Sequence, residues 1–143
     1  MGYSTLADLK LLIPESILIN LSNDVAGAVA VDAAVIAEMI DQADREIDAY
    51  AVIAGYTVPL SPVPPIASNF SARMAIWHLH RRKYFDSEIW QDDYNHCIKF
   101  LEKVSQGKAR LEPETATASS SSFGYATESR RQKFTRHRTW RKF

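Results

Sequence analysis

The stretch YTVPLSPVPP, residues 56–65, puts Pro59, Pro62, Pro64 and Pro65 into ten positions. Each proline fixes φ near −65°, lacks a backbone donor and disfavours helical geometry in the residue before it. Neither a continuous helix nor a central strand passes through such a segment. The chain is therefore divided here into two parts joined by a stiff loop. Pro65 also suits the first turn of a following helix, where its missing N–H is not needed.

Helical patterning lies on both sides. Upstream, Asp32 is a good N-cap. Ile36, Ile40, Ala43, Ile47, Tyr50 and Ala54 follow it at alternating gaps of four and three, one continuous apolar stripe. Glu38, Asp41, Arg45 and Asp48 are expected on the opposite, solvated side. From Asp32 to Ala54 such a helix spans roughly 34 Å. Downstream, Ile66, Phe70, Met74, Trp77 and Tyr84 mark one apolar face, with Arg73, His80, Arg81 and Lys83 toward the end. Asp86 or Ser87 can cap a last helix with the stripe Trp90, Tyr94, Cys97, Leu101 and Val104, which Gly107 is placed to stop. Nearer the start, Thr5 and Asp8 have capping-box spacing for a short helix that must end before Pro14. Pro14 and Glu15 suit the start of another, to about Leu21. Residues 22–31 read as a loop. The fold expected is all-α, a small bundle of about four to five helices with an extended C-terminal arm.

With 46% apolar residues the chain can build a real core, and its zero formal charge conceals a division. Residues 1–112 carry 10 Lys/Arg against 15 Asp/Glu, and residues 113–143 carry 7 against 2. An acidic body and a basic tail point to surfaces that meet different partners. Three segments follow from this: a helical domain at 1–112, a linker at 113–122 (PETATASSSS) that reads as flexible, and a basic, aromatic arm at 123–143. From Phe134 the arm alternates. Phe134, Arg136, Arg138 and Trp140 would face one way in a strand, and Thr135, His137, Thr139 and Arg141 the other. Two uses compete for it: strand addition to another protein, or nucleic-acid binding through phosphates and stacking. The start of the chain lacks a secretory pattern, no apolar run approaches a membrane span, and the single cysteine, Cys97, reads as a buried hydrophobe.

Little in the sequence suggests catalysis. His78 and His80, two apart, diverge on a helix, as do the neighbours His96 and Cys97, whereas zinc sites favour spacings such as C-x2-C or H-x3-H. The histidines are expected at the surface. Asp41, Asp44, Glu46, Asp48, Asp92 and Asp93 are expected on solvated helix faces, or in charged contacts with a neighbouring subunit, rather than as a converging acid–base pair. No nucleophile elbow, P-loop or dinucleotide fingerprint is present. The expectation is no enzyme, no metal and no cofactor.

These residues resemble the Mu-like phage and prophage family of head–tail connector (adaptor) proteins. The likeness begins at Tyr3, Leu6, Asp8 and Leu9. It is strongest from Ala43, Glu46, Ile47, Asp48 and Tyr50 through Tyr56, Pro59, Leu60, Pro62, Pro64 and Pro65. It continues through Ala75, Leu79, Tyr94, Ile98, Phe100, Leu101, Gly107 and Leu111, and covers about residues 3–112. The loop at 22–31 lacks the Asp/Gly-rich run often seen in the family, so no ion site is carried over. The resemblance implies a structural virion protein of the neck, made in the host bacterial cytoplasm, whose copies form a ring between portal and tail, twelvefold if it follows phage portals. It implies as partners the portal protein, a tail-side neck or terminator protein and other copies of the chain. DNA would pass through the channel without sequence-specific binding, and no membrane would be involved. In that setting Tyr56, Pro59, Leu60, Pro62, Pro64 and Pro65 form a rigid loop that sets the angle of the ring contact. The arm is outside the family's core pattern. By its own chemistry Arg130, Arg131, Lys133, Phe134, Arg136, Arg138, Trp140, Arg141 and Phe143 make it a partner-binding segment. The alternative function, from a different class, is a nucleic-acid-binding module whose working part is this arm.

Overall fold

The computed structural model describes residues 2–83 and 87–112. The described chain is all-α, with five helices and no strand. Helix α1, Leu6–Leu12, opens with the full capping box: Asp8 N–H is received by the Thr5 side chain, and the Asp8 carboxylate receives Thr5 N–H at 2.7 Å. It ends before Pro14, which is the N-cap of α2, Glu15–Ser22. After a loop, Asp32 caps α3, Ala33–Ile53, by accepting from the N–H groups of Ala34 and Val35 at 3.0 and 3.3 Å. The proline crossover leads to α4, Pro65–Arg82, with Pro65 in its first turn. The last helix is α5, Glu88–Ser105; Ser87 is its N-cap residue but makes no side-chain capping bond. Gly55 and Gly107, with φ of 89° and 72°, turn the chain just beyond α3 and α5, in a region that costs residues with a Cβ far more.

Helix α4 is the centre of the bundle. It packs most extensively on α3 and then α5, with α1 and α2 closing the remaining sides. Ala67, Phe70, Ser71, Ala72 and every residue from Met74 to Leu79 are buried. The sequence predicts one apolar face here; the structure instead buries the helix all round from Met74 to Leu79. Small residues make this possible, because Ala67, Ser71, Ala72 and Ala75 let neighbouring helices approach closely. Phe70 meets Phe100 edge-on at 5.3 Å between ring centres, tying α4 to α5.

The stripe on α3 is as expected over Ile36, Ile40, Ala43 and Ile47, but its buried line then runs through Ala51, leaving Tyr50 and Ala54 half-buried. On α5, Cys97, Leu101 and Val104 are buried, and burial pushes the Cys97 thiol up to about 11. This cysteine is a core residue rather than a reactive one. Tyr84 and Asp86, named above from the sequence, lie outside the described residues, as does everything from Pro113 onward.

Candidate functional site

The proline crossover is fastened by tyrosines at its start and at its middle. Tyr3, buried ahead of α1, receives the Leu60 N–H on its hydroxyl at 2.8 Å and donates that hydroxyl to Asp48 of α3. Tyr56, at the loop's start, receives the Leu111 N–H at 3.3 Å. One loop thus holds the N-terminal segment and the exit from α5. Leu60 and Pro64 are buried, Tyr56 is half-buried, and Pro59, Pro62 and Pro65 face solvent. The loop residues named from the sequence are therefore brought together, as an internal joint with an exposed outer edge. The arm residues Arg130, Arg131, Lys133, Phe134, Arg136, Arg138, Trp140, Arg141 and Phe143 lie outside the described residues.

Below the loop is a buried polar network that corrects the sequence expectation of solvated carboxylates. Asp44 is 8% exposed. It accepts the Tyr3 N–H at 2.8 Å and the Ser71 hydroxyl of α4, which also contacts Ser4 at 2.7 Å. Burial raises the Asp44 carboxyl despite these donors. Asp48, expected on the outer side, is half-buried and turned to Tyr3. That hydroxyl is raised to about 12, by desolvation first and then by its bond to Asp48. One signal in the sequence points to Asp44: it continues the phase Ile40, Asp44, Ile47, Ala51, so its position faces the core.

A second cluster sits where α3, α4 and α5 meet. Glu46, half-buried, accepts the Tyr94 hydroxyl at 2.9 Å and lies 2.9 Å from His78 Nε2. Burial works to raise the Glu46 carboxyl, but the His78 ring and the Tyr94 hydroxyl together hold it below its ordinary value. Tyr94 stacks on Trp77 with ring centres 3.8 Å apart, Trp77 donates to Gln91 at 3.1 Å, and Arg81 lies over the Trp77 ring. His78 is 6% exposed, which corrects the expectation of a surface histidine. His80 stacks on Trp90 and is held below the usual histidine range by burial.

The remaining charges act as struts. Arg73 pairs with Asp93 at 3.1 Å across α4 and α5. Arg82 and Lys83 at the end of α4 both reach Asp24; Arg82 also donates to the Leu21 carbonyl in the last turn of α2 and Lys83 to the Asn23 carbonyl just beyond it, and these cations hold the Asp24 carboxyl below its usual range. Basic groups there also suit the negative end of the α4 dipole. Among the described residues no three His, Cys, Asp or Glu side chains gather as a metal site. The Ser71–Asp44 pair is enclosed by Tyr3 and Ser4, and its chemistry is that of a structural bond.

The fold and these contacts define a small helical scaffold that presents a stiff, doubly fastened loop. The chain belongs to the family described as Bacteriophage Mu, Gp36, whose model matches residues 3–127. It is 32% identical over 85 residues to the Mu-like prophage FluMu protein gp36 of Haemophilus influenzae, an alignment that covers 59% of this chain and 57% of that relative. The protein is thus phage-related. No helix among the described residues is long and apolar enough to cross a membrane.

Proposed function

We propose that the protein is a structural virion component, the head–tail connector (adaptor) subunit of a Mu-like tailed phage, acting without catalysis as a homo-oligomeric ring in the neck. Its partners in this reading are the portal protein, a tail-side neck protein and neighbouring copies, twelvefold if the ring follows the portal. DNA passes through without sequence-specific binding. The observation that carries the reading is the family match over residues 3–127, which includes the whole proline crossover. The geometry supports it physically. A ring closes only when every copy presents the same contact angle, and a loop fastened to Tyr3 on one side and, through Tyr56, to Leu111 on the other is suited to hold one. The exposed Pro59, Pro62 and Pro65 edge, with the partly exposed Val63, is the surface such a contact would use. The arm from Phe123 to Phe143 is an anchor on the portal in this reading.

The test is a density map of intact particles with this chain located in it. A ring between portal and tail supports the proposal. Absence from the particle, or a place elsewhere in it, overturns it.

A further inference from the structure

A groove of about 310 Å³ opens between the N-terminal segment and the first half of α3. Buried Ile36 and Ile40 and half-buried Leu6 form its floor; exposed Gly2, Ala37 and Asp41 are at its rim. That volume is at the low end of the roughly 300–1,000 Å³ of small-molecule pockets, room for one large side chain and its immediate neighbours. Gly2 keeps the wall thin: a Cβ there would come within 2.8 Å of Ile40 Cγ2 and 3.2 Å of Asp44 Oδ2. The rim carries one acidic side chain, Asp41; Glu38 lies nearby on α3, outside the lining. Glu38 is exposed one turn before Asp41 on α3, and Asp41 pairs with the exposed Arg45, a pair that solvent makes cheap to exchange.

We propose that this groove seats the chain's own C-terminal arm, with the Trp140 ring against Ile36 and Ile40, and Arg138 and Lys142 facing Asp41 and Glu38. Chemistry and reach select this occupant. In an extended segment, residues two apart share a face and lie roughly 7 Å from each other. Trp140 therefore has a cation on each side of it, Arg138 and Lys142, which suits an apolar floor with Asp41 at its edge and Glu38 nearby on the same helix. The net charges of the two partners are opposite as well, 10 Lys/Arg to 15 Asp/Glu in residues 1–112 against 7 to 2 in residues 113–143.

The described chain leaves the bundle at Leu111, held by Tyr56 at the far end of α3. From there to the level of Glu38 is about 16 residues of helix, roughly 24 Å. The tether from Glu112 to Trp140 is about 28 residues, and a flexible chain of that length has a root-mean-square span of roughly 29 Å, more where like charges repel. Effective concentration is highest when tether and span match, which favours the groove of the same chain over that of another copy. The consequence is a free subunit whose arm is parked on its body, covering Trp140 and its cations until a stronger partner takes the arm. This does not depend on the connector reading.

The test uses the full chain and two variants that leave the buried core intact, Trp140→Ala and Ala37→Trp, the latter filling the groove from its exposed rim. Methyl NMR follows the Ile36 and Ile40 signals, and trypsin cleavage follows the arm. Ring-current shifts at both isoleucines that vanish in Trp140→Ala are expected. In Ala37→Trp, arm cleavage is expected to be about tenfold faster than in the parent chain, since cleavage tracks the undocked fraction. Unchanged isoleucine shifts in Trp140→Ala, or equal cleavage in all three proteins, overturn the proposal. Shifts that appear only as protein concentration rises overturn it too, in favour of an arm exchanged between copies.

Discussion

The hydroxyl of Tyr3 receives the backbone N–H of Leu60 at 2.8 Å, a bond that crosses 57 residues and fastens the proline loop to the start of the chain. The same oxygen donates to Asp48, so one side chain satisfies a loop donor and a helix acceptor together. Removing it leaves a buried N–H without a partner. Tyr3→Phe is therefore expected to cost about 1–3 kcal/mol in urea unfolding. The variant also has an alkaline signature. The folded hydroxyl is raised to about 12, so this group's contribution is complete below its unfolded pKa near ~10 and is lost as pH rises through 12. Tyr3→Phe should flatten that part of the stability profile; an alkaline limb identical to the parent's would remove Tyr3 from the account.

Two carboxylates, the buried Asp44 and the half-buried Glu46, predict opposite slopes in acid. The Asp44 carboxyl is raised, chiefly by desolvation, so its stabilising contribution is complete below the ordinary aspartate value of ~3.9 and declines as pH rises through the folded pKa. The Glu46 carboxyl is lowered, so its contribution is present above the ordinary glutamate value of ~4.3 and is lost as pH falls through the folded pKa. Relative to the parent, Asp44→Asn should gain as pH rises from about 4, whereas Glu46→Gln should lose over the interval just below it. Urea midpoints of the three proteins from pH 3 to 8 decide the matter. Parallel profiles would show that neither carboxyl is coupled to folding.

The sequence made the helix boundaries legible because their signals are local. The Thr5–Asp8 box, the Asp32 cap, Pro65 in a first turn and Gly107 past α5 all act within a few residues of themselves. The burial of α4 was not legible, because a helix enclosed by four others follows no single stripe; Ser71 and His78 sit inside only because α3 supplies Asp44 and Glu46. The candidate site was legible in part. Proline chemistry identifies a stiff loop, but its fastening by Tyr3 and Tyr56 depends on residues 57 and 55 positions away.

Replacing Pro64 and Pro65 by glycine is expected to harm assembly more than folding. Loosening the loop should cost of order 1 kcal/mol per site through the unfolded chain, with a further loss from the burial of Pro64. A five-helix bundle whose core is centred on α4 can retain its fold under that load. Ring closure, by contrast, compounds any angular error from copy to copy. The double variant should melt cooperatively at reduced temperature and yield few complete particles. Normal particle yield would make the crossover ordinary packing.

Truncation at Glu112 separates the two uses of the arm. Residues 113–143 are basic, with 7 Lys/Arg against 2 Asp/Glu, and carry Phe134, Trp140 and Phe143 among the cations. As an anchor, the aromatics fill pockets on the portal while Arg136, Arg138 and Arg141 pair with acidic groups. Many weak contacts then act together, because a ring presents every arm at high effective concentration. As a nucleic-acid segment, the same cations neutralise phosphates, and affinity falls steeply with salt. The apolar stripes of the bundle are complete by Leu111, itself buried, so the truncated chain should remain helical and melt cooperatively by circular dichroism. With folding verified in this way, the anchor reading predicts DNA-filled heads that lack stably attached connectors and tails. Heads that keep the truncated protein in its normal place, with only DNA retention or ejection altered, would transfer the arm to the nucleic-acid reading.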